Sequence, residues 1–200
     1  IVIAVVYDVA AFGLRVFFRT VLRARVYGVA NVPRDGPLIV ACNHVSYLDP
    51  PALCFCPRRI SFMAKKELFE VPVLAPFMRA VGTYPVDRQG SAKSAIKRSL
   101  AVLEGGGAVG IFPEGTRNLA GDVQPQTGVA LLASLSGAPV LPAYIRGGER
   151  AKRLGQMKVA FGPPIALPRD RKATRDELAK FTQEIMSAIQ ALAGSIGGNS

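Results

Sequence analysis

The sequence predicts an α/β fold in one domain: a central, mostly parallel or mixed sheet flanked by helices, behind an N-terminal helical segment. Three observations carry this expectation. From residue 37 onward, short apolar runs of strand length alternate with segments whose apolar residues recur at helical spacing. The 200 residues hold no internal repeat and no long linker, a length that suits one core. Polar residues able to do chemistry follow three of the apolar runs, where strands of an α/β sheet pass into their loops.

Composition narrows the function. Half of the residues are hydrophobic and the formal net charge is +11. A chain both apolar and basic suits an anionic membrane surface or a phosphorylated substrate. Nucleic acid is disfavoured as a partner, because Trp is absent, aromatics are sparse and no zinc-finger, RRM or basic-helix pattern occurs. Cys42, Cys54 and Cys56 form an odd set without a CxxC pair. They read as reduced, buried thiols of a cytosol-facing protein, not as a disulfide frame or a metal site.

The elements follow in order. Residues 1–22 are almost wholly apolar, with charges at Asp8, Arg15 and Arg19 and a further one just beyond, at Arg23. At about 100° per residue these charges fall within about 80° of one another on a helix wheel. The expectation is a helix lying in a membrane interface with its arginines reaching for headgroups. The basic cluster of residues 15–25 favours the cytoplasmic face of the cell membrane, with peripheral or monotopic attachment. A single span and a helix packed on the domain are the alternatives. The expected division is residues 1–25 for this helix and 26–200 for the α/β domain. Residues 28–36 read as a linker with an Asp35-Gly36 turn. Strands are expected at residues 37–42, 59–64, 82–86, 108–112, 140–145 and 157–161. Pro50 marks the start of a helix over residues 49–55, and Pro72 and Pro76 break the stretch before the third strand. Ser91 caps a helix ended by Gly105-Gly106-Gly107, and another helix covers residues 128–135. The last helix opens with a capping box, Thr174 and Glu177, and carries Leu178, Phe181, Ile185, Ile189 and Leu192 on one stripe.

His44 is the only histidine, hence the only side chain with an unperturbed pKa near neutrality. It follows the first apolar run, and Asp49, five residues on, can reach back to the imidazole across a turn. The plain alternative is that Asp49 caps a helix and His44 is an ordinary loop residue. Asp87-Arg88 and Glu114-Gly115-Thr116-Arg117 follow two further runs. Singly, these read as a surface ion pair and a turn. Brought to one rim of a sheet, the three clusters would combine a base, an orienting carboxylate and at least two cations.

In this order the clusters resemble the glycerolipid acyltransferase family, the lysophosphatidic acid acyltransferases. Its Asn-His-x-x-x-x-Asp motif matches Asn43-His44 to Asp49. Its Gly-apolar-Asp-Arg motif matches Gly82 to Asp87-Arg88, and Phe-Pro-Glu-Gly-Thr-Arg matches Phe112 to Arg117 in full. Its Pro-containing apolar strand matches residues 138–142. Two positions depart from the pattern: Asn118 stands where Ser is frequent, and Gln126 where Lys or Arg is common.

The resemblance implies acyl transfer from acyl-CoA or acyl-carrier protein, as co-substrate, to the free hydroxyl of lysophosphatidic acid. It implies a phosphate site drawn from Lys65, Arg88, Glu114, Gly115, Thr116 and Arg117, and no metal or other cofactor. Residue chemistry agrees with the reaction. A hydroxyl needs a base, which His44 can supply, and Asp49 can fix its tautomer. Backbone amides near Gly115 are the expected oxyanion donors. The rivals are a lipid esterase using Ser46, which sits in no Gly-x-Ser-x-Gly elbow, and a catalytically silent membrane or partner-binding module. Within the family, glycerol 3-phosphate or another lysophospholipid is the alternative acceptor.

Overall fold

The computed structural model describes residues 2–72, 75, 78, 83–86, 92–118, 123–168 and 173–197. Its centre is β2 (Leu38–Cys42), five residues that are all buried. A parallel strand covered on both faces reads as a continuous apolar run, and that is the sequence Leu-Ile-Val-Ala-Cys. Alternate side chains serve opposite layers. Leu38, Val40 and Cys42 join a core with Phe18, Leu22 and Phe55, while Ile39 and Ala41 join one with Leu103, Leu132, Phe181 and Ile185.

The other strands are β1 (Arg25–Tyr27), β3 (Ile60–Lys65), β4 (Tyr84–Val86), β5 (Ala108–Ile111), β6 (Val140–Arg146) and β7 (Lys158–Phe161). They form one sheet in the order β1-β7-β6-β2-β5-β3-β4. Every pairing is parallel except β6 with β7. Among the described residues, the helices with defined bounds are α1 (Val2–Thr20), α2 (Asp49–Ala52), α3 (Ala92–Glu104), α4 (Gly128–Ser136) and α5 (Arg175–Ser195). The expected mixed, mostly parallel α/β architecture is therefore present. Its consequence for function lies in the run β2-β5-β3-β4. Four neighbouring parallel strands end on one edge, so the segments after Cys42, Ile111 and Lys65 leave the sheet on the same side.

Local details differ from expectation at three places. The helix expected over residues 49–55 is α2 followed by a 3-10 turn, Leu53–Phe55. Strand β1, three residues long, was not anticipated; its exposed Arg25 and Tyr27 look like linker, and its pairing with β7 makes it a strand. The expected domain boundary after residue 25 falls inside β1. Gly82, Asp87, Arg88 and Ser91 lie outside the described residues. The capping box forms as expected: Glu177 N–H donates to Thr174 Oγ1 at 3.3 Å, and Thr174 N–H donates to Glu177 Oε2 at 2.7 Å.

Helix α1 forms where expected but is turned the other way round. Its arginines contact the domain, Arg15 half-buried and Arg19 still exposed. Arg15 Nε donates to Cys54 O at 2.7 Å, Asp8 pairs with Arg59 at 2.8 Å, and Arg19 lies over the Phe55 ring. Beside them Ala11, Phe18 and Leu22 are buried, each large side chain contributing about 1.5–3 kcal/mol. The reason is local. The short helical turn ending at Cys56 presents carbonyls without helical partners, and the guanidinium of Arg15 satisfies them. At about 100° per residue, the packed residues occupy one half of the wheel. The other half is apolar and bare: Val9 is 66% and Phe12 67% exposed, with Val16, Phe17 and Val21 also exposed. No helix among the described residues is long and apolar enough to cross a membrane.

Candidate active site

The segment after β2 turns sharply and is held by its own side chains. Asn43 is buried and bonds the main chain of Ile145 in β6 twice, accepting from its N–H at 2.8 Å and donating to its carbonyl at 3.0 Å. His44 follows. Asp49 closes the turn: Oδ2 accepts from Val45 N–H and Ser46 N–H, both at 2.7 Å, and lies 3.0 Å from His44 Nδ1. Asp49 is fully buried, and its side chain makes no helix-cap bond. The plain alternative of a capping aspartate is thereby replaced. With Nδ1–H donated to the carboxylate, the neutral imidazole carries its lone pair on Nε2. Nε2 makes no hydrogen bond to another described residue.

The imidazole is also fixed by its faces. Phe112 stacks on it with centroids 4.2 Å apart and planes at 24°. Phe62 lies 6.0 Å beyond Phe112 in nearly parallel orientation. Gly110 makes room for this row, since a Cβ there would collide with the Phe62 ring.

The segment after β5 grips the same histidine. Glu114 Oε2 accepts from the His44 backbone N–H at 2.9 Å, and Asn118 N–H donates to the His44 carbonyl at 2.7 Å. Both polar groups of the His44 peptide are thus held by one loop, which lies alongside because β5 is the neighbour of β2. Asn118 Nδ2 in turn donates to Glu114 Oε1 at 3.2 Å. Glu114 is only 8% exposed. Its expected place in a phosphate set is corrected: the carboxylate is committed to His44 and Asn118, and it would repel a phosphate. Gly115 is in the left-handed region, φ 68°, and its N–H closes the turn to Phe112 O at 2.9 Å. That amide is therefore not available to an oxyanion. Gln126 packs against this turn; a Cβ on Gly115 would stand 2.7 Å from its Nε2. Thr116 and Arg117 are exposed on the same loop, and the Arg117 guanidinium carbon lies 3.8 Å from the centroid of the Tyr47 ring.

The structure therefore brings His44, Asp49, Glu114, Gly115, Thr116 and Arg117 together. Lys65 closes β3, separated from β2 by β5 alone, and Arg88 lies outside the described residues. Sequence reasoning missed Asn43, Phe112 and Tyr47 as working parts. All three lie inside the two motifs, which was the available signal; their partners, Ile145, His44 and Arg117, become visible only with the strand order. Ser46, the nucleophile of the esterase alternative, accepts Leu48 N–H on Oγ at 3.2 Å and makes no hydrogen bond to His44. Burial raises the thiol pKa of all three cysteines: Cys42 well above its ordinary value, with Asp49 and Glu114 adding to the effect, Cys54 to about 12, and Cys56 above its ordinary value. None is an activated thiolate.

Residues 23–146 match the family model described as Acyltransferase. A 1-acyl-sn-glycerol-3-phosphate acyltransferase of Bacillus subtilis (strain 168) is 32% identical over 197 residues, spanning 93% of this chain and 96% of the relative. One of Streptococcus pneumoniae (strain ATCC BAA-255 / R6) is 28% identical over 176 residues, spanning 84% of this chain and 66% of the relative. The crystal structure of a 1-acyl-sn-glycerophosphate acyltransferase from Thermotoga maritima shares the fold with a TM-score of 0.72 at 23% identity, covering 94% of this chain and 81% of that one. The chain is an enzyme that belongs to the acyltransferase family, in the group that holds the 1-acyl-sn-glycerol-3-phosphate acyltransferases.

Proposed function

We propose that the enzyme transfers an acyl chain from a thioester, acyl-CoA or acyl-carrier protein, to the free hydroxyl of lysophosphatidic acid, giving phosphatidic acid. The observation that carries this reading is the His44–Asp49 pair, 3.0 Å apart, with Nε2 left unbonded. Nε2 takes the hydroxyl proton as the oxygen attacks the thioester carbonyl. The buried Asp49 carboxylate stabilises the imidazolium so formed. The tetrahedral intermediate then collapses, the C–S bond breaks, and the leaving sulfur receives the proton from Nε2. Transfer is direct, without an acyl-enzyme, in keeping with the engaged Ser46 hydroxyl and the three protonated thiols. Arg117 binds the acceptor phosphate, because a guanidinium fork matches phosphate oxygens and this one pairs with no carboxylate among the described residues. Lys65 and Arg88 complete the phosphate site, a role that rests on the family resemblance. The enzyme acts at the cytoplasmic face of an anionic membrane. The bare apolar half of α1, from Val9 to Phe17, enters the interface together with Val21 just beyond it, and the excess positive charge holds the protein there.

One experiment tests the reaction. Purified protein is given labelled acyl-CoA with lysophosphatidic acid, glycerol 3-phosphate or water as acceptor. Labelled phosphatidic acid is expected, and His44→Ala should reduce its formation about 100-fold or more while the protein stays folded. Preferred labelling of glycerol 3-phosphate would reassign the acceptor. Release of free fatty acid as the main product would replace transferase by esterase.

A further inference from the structure

Tyr47 sits in the turn between His44 and Asp49 and is 77% exposed. A side chain so exposed gains little from burial, so packing does not explain its aromatic ring. What the ring meets is the Arg117 guanidinium, whose carbon lies over its face at 3.8 Å. A face contact at that distance uses the flat side of the cation and leaves its N–H edges free. A carboxylate would hold the same arginine by those edges. The nearest acidic residue in sequence, Glu114, is turned inward onto the His44 amide. The platform is also rigid relative to the base. Asp49 and Ser46 pin the turn that carries Tyr47, and the bond from Asn118 N–H to His44 O ties the arginine's loop to it.

Resting on the reading of Arg117 as the phosphate ligand, we propose that Tyr47 is a positioning and specificity residue: it holds that guanidinium with its hydrogen-bonding edges turned out for a phosphate monoester on the acceptor. It restricts a long side chain before the acceptor arrives, and so selects phosphorylated over neutral acceptors without touching either.

The test is a double-mutant cycle read on two acceptors, lysophosphatidic acid and monoacylglycerol, in detergent micelles. Tyr47→Ala should raise KM for lysophosphatidic acid about 2- to 5-fold, the worth of an exposed cation–π contact, with kcat unchanged. Monoacylglycerol kinetics should not move, and Tyr47→Phe should behave as wild type because the ring face is kept. In an Arg117→Ala background, Tyr47→Ala should add nothing. An unchanged Tyr47→Ala effect in that background, an equal effect on both acceptors, or no effect at all would overturn the proposal. If Arg117→Ala itself weakens both acceptors equally, the phosphate reading of Arg117 fails and takes this proposal with it. If Arg117→Ala discriminates and Tyr47→Ala is silent, only the role of Tyr47 fails.

Discussion

Replacing Glu114 by Ala should loosen the catalytic base, with a larger loss in kcat than in acceptor binding. In the folded protein this carboxylate accepts the His44 backbone N–H at 2.9 Å and is 8% exposed. The hydrogen bond is charge-assisted, and its loss leaves a part-buried donor without its partner. The expected penalty is about 2–3 kcal/mol. For a domain of this size that is a fall in melting temperature of about 4–12 °C. The effect on rate should exceed the effect on stability. The His44 peptide is gripped at its N–H by Glu114 and at its carbonyl by Asn118, and Asn118 is itself held by Glu114. Truncation frees both grips, and a base displaced by about 1 Å can reduce turnover about 100-fold. Glu114→Gln keeps an acceptor for the amide and should recover much of both losses. Thermal melts, with kcat and KM on lysophosphatidic acid and monoacylglycerol, check these expectations. A Glu114→Ala enzyme with wild-type melting and kcat, but a raised KM for the phosphorylated acceptor alone, would refute the reasoning and return Glu114 to the phosphate site.

Gly110→Ala should push Phe62 out of the aromatic row that ends on His44, at an overpacking penalty of about 1–3 kcal/mol and with a lowered kcat; Phe62→Leu in the same chain should restore room and activity. Stability should fall as pH rises from about 9 to about 12. The Cys54 thiol keeps its proton in the folded protein to about pH 12, against an ordinary value of 9.0, so within that window the folded chain binds more protons than the unfolded one. Below the window this contribution is fully present. Melting curves against pH should flatten there in Cys54→Ala relative to wild type, and identical slopes would count against the assignment.

Strand positions were legible because a parallel sheet covered on both faces demands short apolar runs, and residues 38–42 can be little else. The His44–Asp49 pair was legible because both partners lie in one turn. What joins that turn to Glu114 was not, because the adjacency of β2 and β5 is a matter of strand order across about 70 residues of chain. Glu114 followed by Arg117 reads locally as an ion pair or a ligand set; only the neighbouring strand reveals an amide waiting for the carboxylate. Helix α1 shows a different limit. The wheel grouped Asp8, Arg15 and Arg19 correctly, but a line of arginines serves headgroups and stranded carbonyls equally well. The carbonyls of Cys54 and Cys56 decided which way the line faces.

The three free cysteines lie under two different parts of the molecule. Cys42 ends the strand that carries the base, whereas Cys54 and Cys56 lie beneath α1, their carbonyls held by Arg15. A bulky maleimide reaches none of them in the closed protein and must wait for a local opening. The native chain thus holds two clocks that need no engineered label. Modification of Cys42 times the breathing of the catalytic strand, and modification of Cys54 and Cys56 times the lifting of the N-terminal helix. Peptide mapping after short exposures reads both from one sample. Adding vesicles or acceptor then tells which of the two motions each partner slows.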